Sequence, residues 1–377
     1  MSAIREISLC LADCPLAQPA VFATRSVASR QYLLVRVRTS DGVTGIGAAY
    51  CGNALGEIAF GAAERLLARM LLGRDAHATE ALWHEMYREA LLQGRAGSVI
   101  RAISALDMAL WDRNARAAGL PLWRYLGAMH EGRVPAYASG GYYYDTDEFA
   151  RLQSEMQGYL DTGFRAVKMK VGRAELSHDR RRVAAVREVV GEDVLLMLDA
   201  NNAWSNVAEA DQFLSSVEEF RPFWIEEPFS PDAIDAHARL AERARIPIAS
   251  GEVEAGRWRF RDLVDRKAAQ ILQPDVAACG GVTEWRRIAA HAAACDMPVC
   301  THAWQDFHAP LMAATPNAMR VEVFTDDRIV NLQNLLDAPL VFEGGYIVLS
   351  EQPGFGFEFD EARVAETATI GWTEVRA

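Results

Sequence analysis

The sequence predicts an α/β protein: a (β/α)8 barrel of the TIM type, preceded by an α+β capping domain. Three observations predict it. From residue 134 onward, eight short apolar segments alternate with helical stretches, the pattern of a parallel sheet with crossover connections, and eight such strands close a barrel. Seven successive strands end on an ionisable residue, at intervals of 20 to 29 residues, the length of one βα unit. The first 125 residues read differently, as a strand meander followed by helices. With 377 residues the chain is long enough for two such units. The expected division is a capping domain over 1–125, a barrel over 126–325, and a segment over 326–377 returning to the capping domain.

The elements follow in order. Residues 4–11, 32–38 and 45–50 read as strands, because Leu33, Val35 and Val37 alternate with other residues and Ser40-Asp41-Gly42 supplies a hairpin turn. Residues 13–30 read as a loop, with Pro15 and Pro19 and little charge before Arg25. Helical stretches cover 57–72, 79–92 and 98–118; in the last, Ile100, Ile103, Leu106, Leu110 and Trp111 form one apolar stripe. Gly119-Leu120-Pro121 ends it. Barrel strands are expected at 134–138, 166–171, 194–199, 222–226, 246–250, 270–273, 298–301 and 320–324. Residues 340–360, turning at Gly344-Gly345, read as a hairpin that packs back on the first domain.

Composition narrows the partners. A net charge of −12 argues against nucleic acid and against an anionic membrane, and an anionic substrate would need a local positive centre. Six cysteines show neither metal-type spacing nor disulfide-scaffold density, and read as reduced thiols of a cytoplasmic protein. Met1-Ser2-Ala3-Ile4-Arg5-Glu6 shows no signal-peptide pattern, and no apolar run reaches the length of a membrane span.

The strand ends carry the chemistry. In Ala166-Val167-Lys168-Met169-Lys170-Val171, residues two apart share a face, so Lys168 and Lys170 point the same way, roughly 6.6 Å apart. The following ends are Asp199, Glu226, Glu252, Asp275, His302 and Glu322. On one barrel rim, where strand ends build active sites, these groups converge. Two carboxylates about 4 Å apart repel by roughly 4 kcal/mol at an effective dielectric near 20, so Asp199, Glu226 and Glu252 together need a cation or must take up protons. An all-oxygen set suits Mg²⁺, and the absence of cysteine and histidine from it argues against zinc. Two alternatives stand beside this: Asp199 as a cap of the next helix, and Glu227 as the ligand if the strand register shifts by one.

Asp275 hydrogen-bonded to one nitrogen of His302 would fix its tautomer and raise the basicity of the other. Lys170, lowered in pKa by Lys168 and by burial, and His302 would then face a bound acid from opposite sides. That arrangement suits removal of the proton next to a carboxylate. The metal, Lys168 and a protonated Glu322 would stabilise the charge that develops. A barrel that binds a carboxylate ligand without turning it over is the rival from another class. The other histidines, His308 among them, fall in helices or loops and carry no assigned chemistry.

These residues resemble the enolase superfamily, in its mandelate racemase subgroup. The resemblance runs through Lys168-Met169-Lys170, Leu198-Asp199-Ala200-Asn201, Trp224-Ile225-Glu226-Glu227-Pro228, Gly251-Glu252, Gln273-Pro274-Asp275, Gly280-Gly281-Val282, Thr301-His302 and Ala314-Thr315-Pro316 leading to Glu322. It implies Asn201 beside the substrate, homo-oligomerisation, and a capping domain whose segments at 13–30 and 50–56 close over the barrel mouth. Ala138-Ser139-Gly140-Gly141-Tyr142-Tyr143-Tyr144 is similar to a segment of tartrate dehydratases, and Thr301-His302-Ala303-Trp304-Gln305-Asp306 to mandelate racemase or acid-sugar enzymes. The function so implied is dehydration of a hydroxy carboxylate, a sugar acid, to a 2-keto-3-deoxy acid. A racemase or epimerase of a 2-hydroxy acid and a lactone cycloisomerase use the same residues. The capping segment, with Pro15, Leu16, Ala17, Val21 and Phe22, leaves room for a less polar 2-hydroxy acid.

Overall fold

The computed structural model describes residues 2–376. Two sheets organise it. Strands β1 (Ile4–Val21), β2 (Ser26–Thr39) and β3 (Thr44–Tyr50) form an antiparallel meander. The barrel strands are β4 (Arg133–Ser139), β5 (Ala166–Lys170), β6 (Leu195–Asp199), β7 (Trp224–Glu226), β8 (Ile248–Ser250), β9 (Ile271–Leu272) and β10 (Val321–Val323). They run parallel in that order, β10 pairs β4, and single bridges through Val299 link Leu272 to Ala318 and close the ring. The expected seventh strand is thus reduced to one bridging residue, preceded by Pro298, which has no N–H to give a ladder.

The expected loop at 13–30 is instead the far end of a long hairpin, β1 into β2. The two prolines are tolerated because the pairing register breaks between Pro15 and Ala20, where no ladder N–H is required. At the hairpin tip, Thr24 Oγ1 donates to Asn201 O at 3.2 Å, so the capping domain reaches down onto the barrel rim. The expected helix at 57–72 is interrupted: Gly56–Ala62 and Ala68–Leu71 flank a π-helical stretch, Ala63–Leu67. The next two helices are Thr79–Glu89 and Ser98–Ala117.

The Ser98–Ala117 helix lies directly on β3. A Cβ at Gly47 would come within 2.1 Å of Ala105 O, and one at Gly45 within 2.2 Å of Ala109 O, so the approach needs glycine. The same helix fastens the cap to the barrel. Asp107 accepts from Thr283 N at 2.8 Å and Thr283 Oγ1 at 2.6 Å, and Trp111 Nε1 donates to Thr283 Oγ1 at 2.8 Å.

The C-terminal hairpin, β11 (Val341–Glu343) and β12 (Tyr346–Val348), does not return to the cap. It adds antiparallel to β4 at the start of the barrel sheet, Ile347 opposite Val134. The return begins within the expected stretch, where Phe355 N donates to Asp112 at 2.6 Å and Arg116 pairs with Glu358, and is completed by β13 (Ala368–Arg376), which pairs β1 as a fourth strand of the meander. Among the described residues, no helix is long and apolar enough to cross a membrane.

Inside the barrel, alternation separates a packed floor from a polar rim. Tyr137, Ala166, Met197, Trp224, Ala249, Ile271 and Cys300 form one buried cluster. Two residues further along the same faces stand Lys168, Asp199, Glu226 and His302. The outward residues between them, Val167, Leu198 and Ile225, belong to the main core under the helices. The strand period thereby lifts these four polar ends to one side.

Candidate active site

Pairing register sets the first half of the site. Asp199 stands opposite Lys170 on β5 and opposite Glu226 on β7, so three charged side chains rise side by side from adjacent strands. Glu252 follows β8 by two residues. One oxygen from each of Asp199, Glu226 and Glu252 lies within 4.8 Å of the others, and all three residues are buried. The register therefore selects Glu226. Glu227 turns aside at φ 42°, where its carboxylate accepts from Asn202 Nδ2 at 2.9 Å. Asp199 does not cap a helix, since the next one starts at Val207 behind Asn206; it accepts instead from Asn201 N at 2.9 Å and Asn201 Nδ2 at 3.3 Å.

Lys168, with none of its surface exposed, sits among these carboxylates: 2.7 Å from Glu226, 2.7 Å from Glu322 and 3.6 Å from Asp199. Lys170 pairs with Asp199. Its ammonium lies 5.6 Å from the Phe22 ring centre and 5.3 Å from that of Tyr142, two rings set edge to face. Two lysines do not balance the surrounding acids. Burial, then the repulsion of Asp199, Glu322 and Glu252, pushes Glu226 up to about 8 despite Lys168. A carboxylate forced toward its neutral form among close oxygen neighbours is what a missing positive charge produces, so the donor set fits a hard divalent cation.

Two groups at the rim have their charge set by direct contacts with neighbours. Burial, the largest influence, and Lys168 act to lower Lys170, while Asp199, Tyr142 and Glu322 together lift its pKa above the ordinary lysine value; a cation held by Asp199 would relieve part of that pull. Glu322, expected as a protonated donor, is drawn toward the carboxylate by its neighbours when no cation is bound. Burial favours its neutral form, but Lys168, then His302 and Lys170, hold it ionised, down to about 2, and it accepts from Ala303 N at 2.6 Å. In both, the summed pull of nearby opposite charges outweighs desolvation.

The second half of the site is the pair expected at the ends of the sixth and seventh strands. His302 Nδ1 donates to Asp275 at 2.8 Å, and His302 Nε2 lies 3.6 Å from Glu252. Burial disfavours the imidazolium, but the Glu252 carboxylate and then the Asp275 hydrogen bond raise His302 to about 9. Asp275 also caps the short Val276–Cys279 helix, accepting from Ala277 N and Ala278 N, which fixes the carboxylate that orients the histidine. Lys170 thus stands on the Asp199 side of the triad and His302 on the Glu252 side.

Several residues not singled out from the sequence support this set. Gln273 Nε2 donates to Glu226 Oε2 at 2.8 Å. Arg182, fully buried, donates to Lys170 O at 2.6 Å, Gly141 O at 2.8 Å and Tyr142 O at 3.1 Å, tying the end of β5 to the tyrosine segment. His308 accepts from Val276 N at 2.9 Å and donates to Ala303 O at 2.7 Å, joining the segments that follow Asp275 and His302. Gln273 lies in a motif already noted; a mid-helix arginine or histidine leaves no comparable signal.

Above the rim lies a cavity of about 270 Å³, bounded by Lys170, Asn201, Glu252, Asp275, His302 and Glu322 below and by the capping domain above. That volume suits a small molecule. Both expected capping segments reach it, through Phe22 and Val27 from one and Tyr50 and Asn53 from the other. The cap is more cationic than its sparse charge before Arg25 suggests, because Arg25, Arg30 and Arg101 all border the cavity.

A parallel barrel with a carboxylate triad between a lysine and a histidine defines the class of acid–base lyases and isomerases built on the enolase plan. The chain belongs to the mandelate racemase / muconate lactonizing enzyme family: that family's N-terminal domain matches residues 5–127, and the enolase C-terminal domain-like family matches residues 151–363. It is 32% identical over 337 residues to arabinonate dehydratase of Saccharolobus solfataricus, covering 87% of this chain and 88% of that one. It is 33% identical over 342 residues to 3,6-anhydro-alpha-L-galactonate cycloisomerase of Streptomyces coelicolor, covering 90% and 91%. Among solved structures, L-talarate dehydratase from Polaromonas sp. JS666, complexed with Mg and L-glucarate, superposes with a TM-score of 0.92 at 29% identity, covering 100% of both chains.

Proposed function

We propose that this chain is a Mg²⁺-dependent enzyme that removes the α-proton of a hydroxy carboxylate, and that its reaction is dehydration of a sugar acid to a 2-keto-3-deoxy acid. The reading rests above all on one observation: three carboxylate oxygens within 4.8 Å of one another, with Lys170 beside one end of the triad and His302 beside the other. Asp199, Glu226 and Glu252 would hold the ion, which supplies positive charge to the substrate carboxylate as the α-carbon loses its proton. Lys168 adds a fixed ammonium, Asn201 stands at the cavity floor within reach of the substrate, and Lys170, whose pairing with Asp199 would weaken once that carboxylate ligates the ion, takes the α-proton. His302, its imidazolium favoured by Asp275 and Glu252, protonates the departing 3-hydroxyl. Glu322 holds Lys168 in place and anchors Ala303 N in the loop after His302.

Relatives that are dehydratases of arabinonate and of talarate support the substrate class. Racemisation or epimerisation is the second reading, favoured by a proton carrier on each side of the triad. A screen of mono- and diacid sugars in Mg²⁺ separates the two. A 2-keto product is expected; solvent deuterium entering the α-position with no keto product would give the second reading instead. Lys170→Ala should abolish α-exchange, and persistence of exchange in that variant would remove Lys170 as the base. Activity that survives exhaustive chelation would remove the metal.

The free state of all six cysteines, five of them buried, supports a reducing, cytoplasmic setting. Exposed Leu55, Ile58, Leu91 and Leu92 on the capping domain support assembly of like subunits.

A further inference from the structure

We infer that the substrate carries a second carboxylate, remote from the reacting carbon, and that Arg30 and Arg101 of the capping domain hold it. This rests on the sugar-acid reading and narrows it to the aldaric diacids. Arg30 lies on β2 and Arg101 in the first turn of the Ser98–Ala117 helix, and both are half-buried on the cavity wall contributed by the cap. They flank one ring: their guanidinium carbons are 5.0 and 5.7 Å from the centre of Tyr50. Each is anchored by a single hydrogen bond to backbone, Arg30 to Ile329 O and Arg101 to Tyr50 O. A guanidinium has five N–H donors in a planar fork, so most of these donors remain for something in the cavity.

No carboxylate of the described residues pairs with either guanidinium within 4.0 Å, although acidic side chains outnumber basic ones by 51 to 39. Two arginines on a half-buried wall with no acid at ion-pair distance are free to be completed by a ligand anion. A second feature points the same way. The 20-residue Ser98–Ala117 helix begins at Gly97, has no side-chain cap and no acidic residue in its first turn, and presents Gly97 and Ser98 to the cavity. Its first N–H groups and the positive end of its dipole favour an anion there.

In the proposed reaction the reacting carboxylate sits toward the triad, on the barrel side, where Lys170 and Glu252 border the cavity. The arginines stand on the other wall, so the cavity has positive charge at both ends. Two planar forks match a carboxylate through paired hydrogen bonds.

The test compares aldarate and aldonate pairs of the hexoses, such as glucarate and gluconate, with 6-phosphogluconate as a third arm. Calorimetric binding to the Mg²⁺-loaded protein and kcat/KM are both read. The diacid should win by on the order of 10- to 100-fold, the contribution of charge-assisted hydrogen bonds, and Arg101→Met and Arg30→Met should each shrink that ratio. Arg101→Lys, which keeps the charge and loses the fork, should fall between. An aldonate or 6-phosphogluconate that binds as well as the diacid, a ratio that survives both methionine variants, or no binding of any diacid would overturn the inference. Arginine-dependent diacid binding without α-proton exchange would sink the proposed reaction and leave the diacid site standing.

Discussion

Replacing His308 by leucine is expected to loosen the Asp275–His302 pair without touching either residue. The imidazole is fully buried and spans two segments, accepting from Val276 N at 2.9 Å and donating to Ala303 O at 2.7 Å. Leucine orphans one buried N–H and one C=O, at about 1–3 kcal/mol each, so the loss should be about 2–6 kcal/mol. The ring also gives a pH signature. Burial outweighs the Asp275 charge and pushes the imidazole from 6.5 down to about 4. The unfolded chain therefore takes the proton first on acidification. This contribution is complete above pH 6.5 and is lost as pH falls through 4. A span of about 2.5 pH units at 1.36 kcal/mol each makes it worth ~3 kcal/mol. Denaturant unfolding of native and His308→Leu protein at pH 7, 5.5 and 4 measures both quantities. The stability gap should narrow as the pH falls, and kcat at pH 7 should drop while Mg²⁺ binding is kept. A gap constant from pH 7 to 4, or native turnover in a destabilised variant, would refute the assignment.

Other expectations follow from the same contacts. Lys168→Met leaves Glu226 and Glu322 without their shared ammonium, and breaking a buried pair costs about 3–5 kcal/mol. Its melting temperature should fall, and added Mg²⁺ should raise it more than it raises the native value; an equal Mg²⁺ effect would contradict the charge balance given above. Gly281→Ala meets two obstacles, a φ of +84° and a Cβ 2.6 Å from Asp107 Oδ2 at the cap–barrel joint. Left-handed strain alone is about 1–3 kcal/mol, so thermal unfolding should shift clearly downward, and an unchanged midpoint would mean that the joint yields freely.

The site was legible where one strand's period sufficed. Lys168 and Lys170 share a face because residues two apart must, and the spacing of the polar ends matches one βα unit each, so Asp199, Glu226, Glu252, Asp275 and His302 could be placed on one rim from order alone. The capping hairpin was not legible. Pro15 and Pro19 read as loop residues, and only the broken register with β2 shows how a strand continues past them. β13 was missed because its partner, β1, is the other end of the chain.

The sequence by itself determined the barrel, the carboxylate ring and the lysine and histidine beside it, since these follow from short-range periodicity repeated unit by unit. Tertiary structure alone decided the charges those groups carry. Lys170 is raised by contact with Asp199, Glu322 is ionised by contact with Lys168, and the cavity is roofed by Arg30 and Arg101. A pKa and a binding wall depend on which groups lie within a few ångströms across the fold. Spacing along the chain does not carry that information.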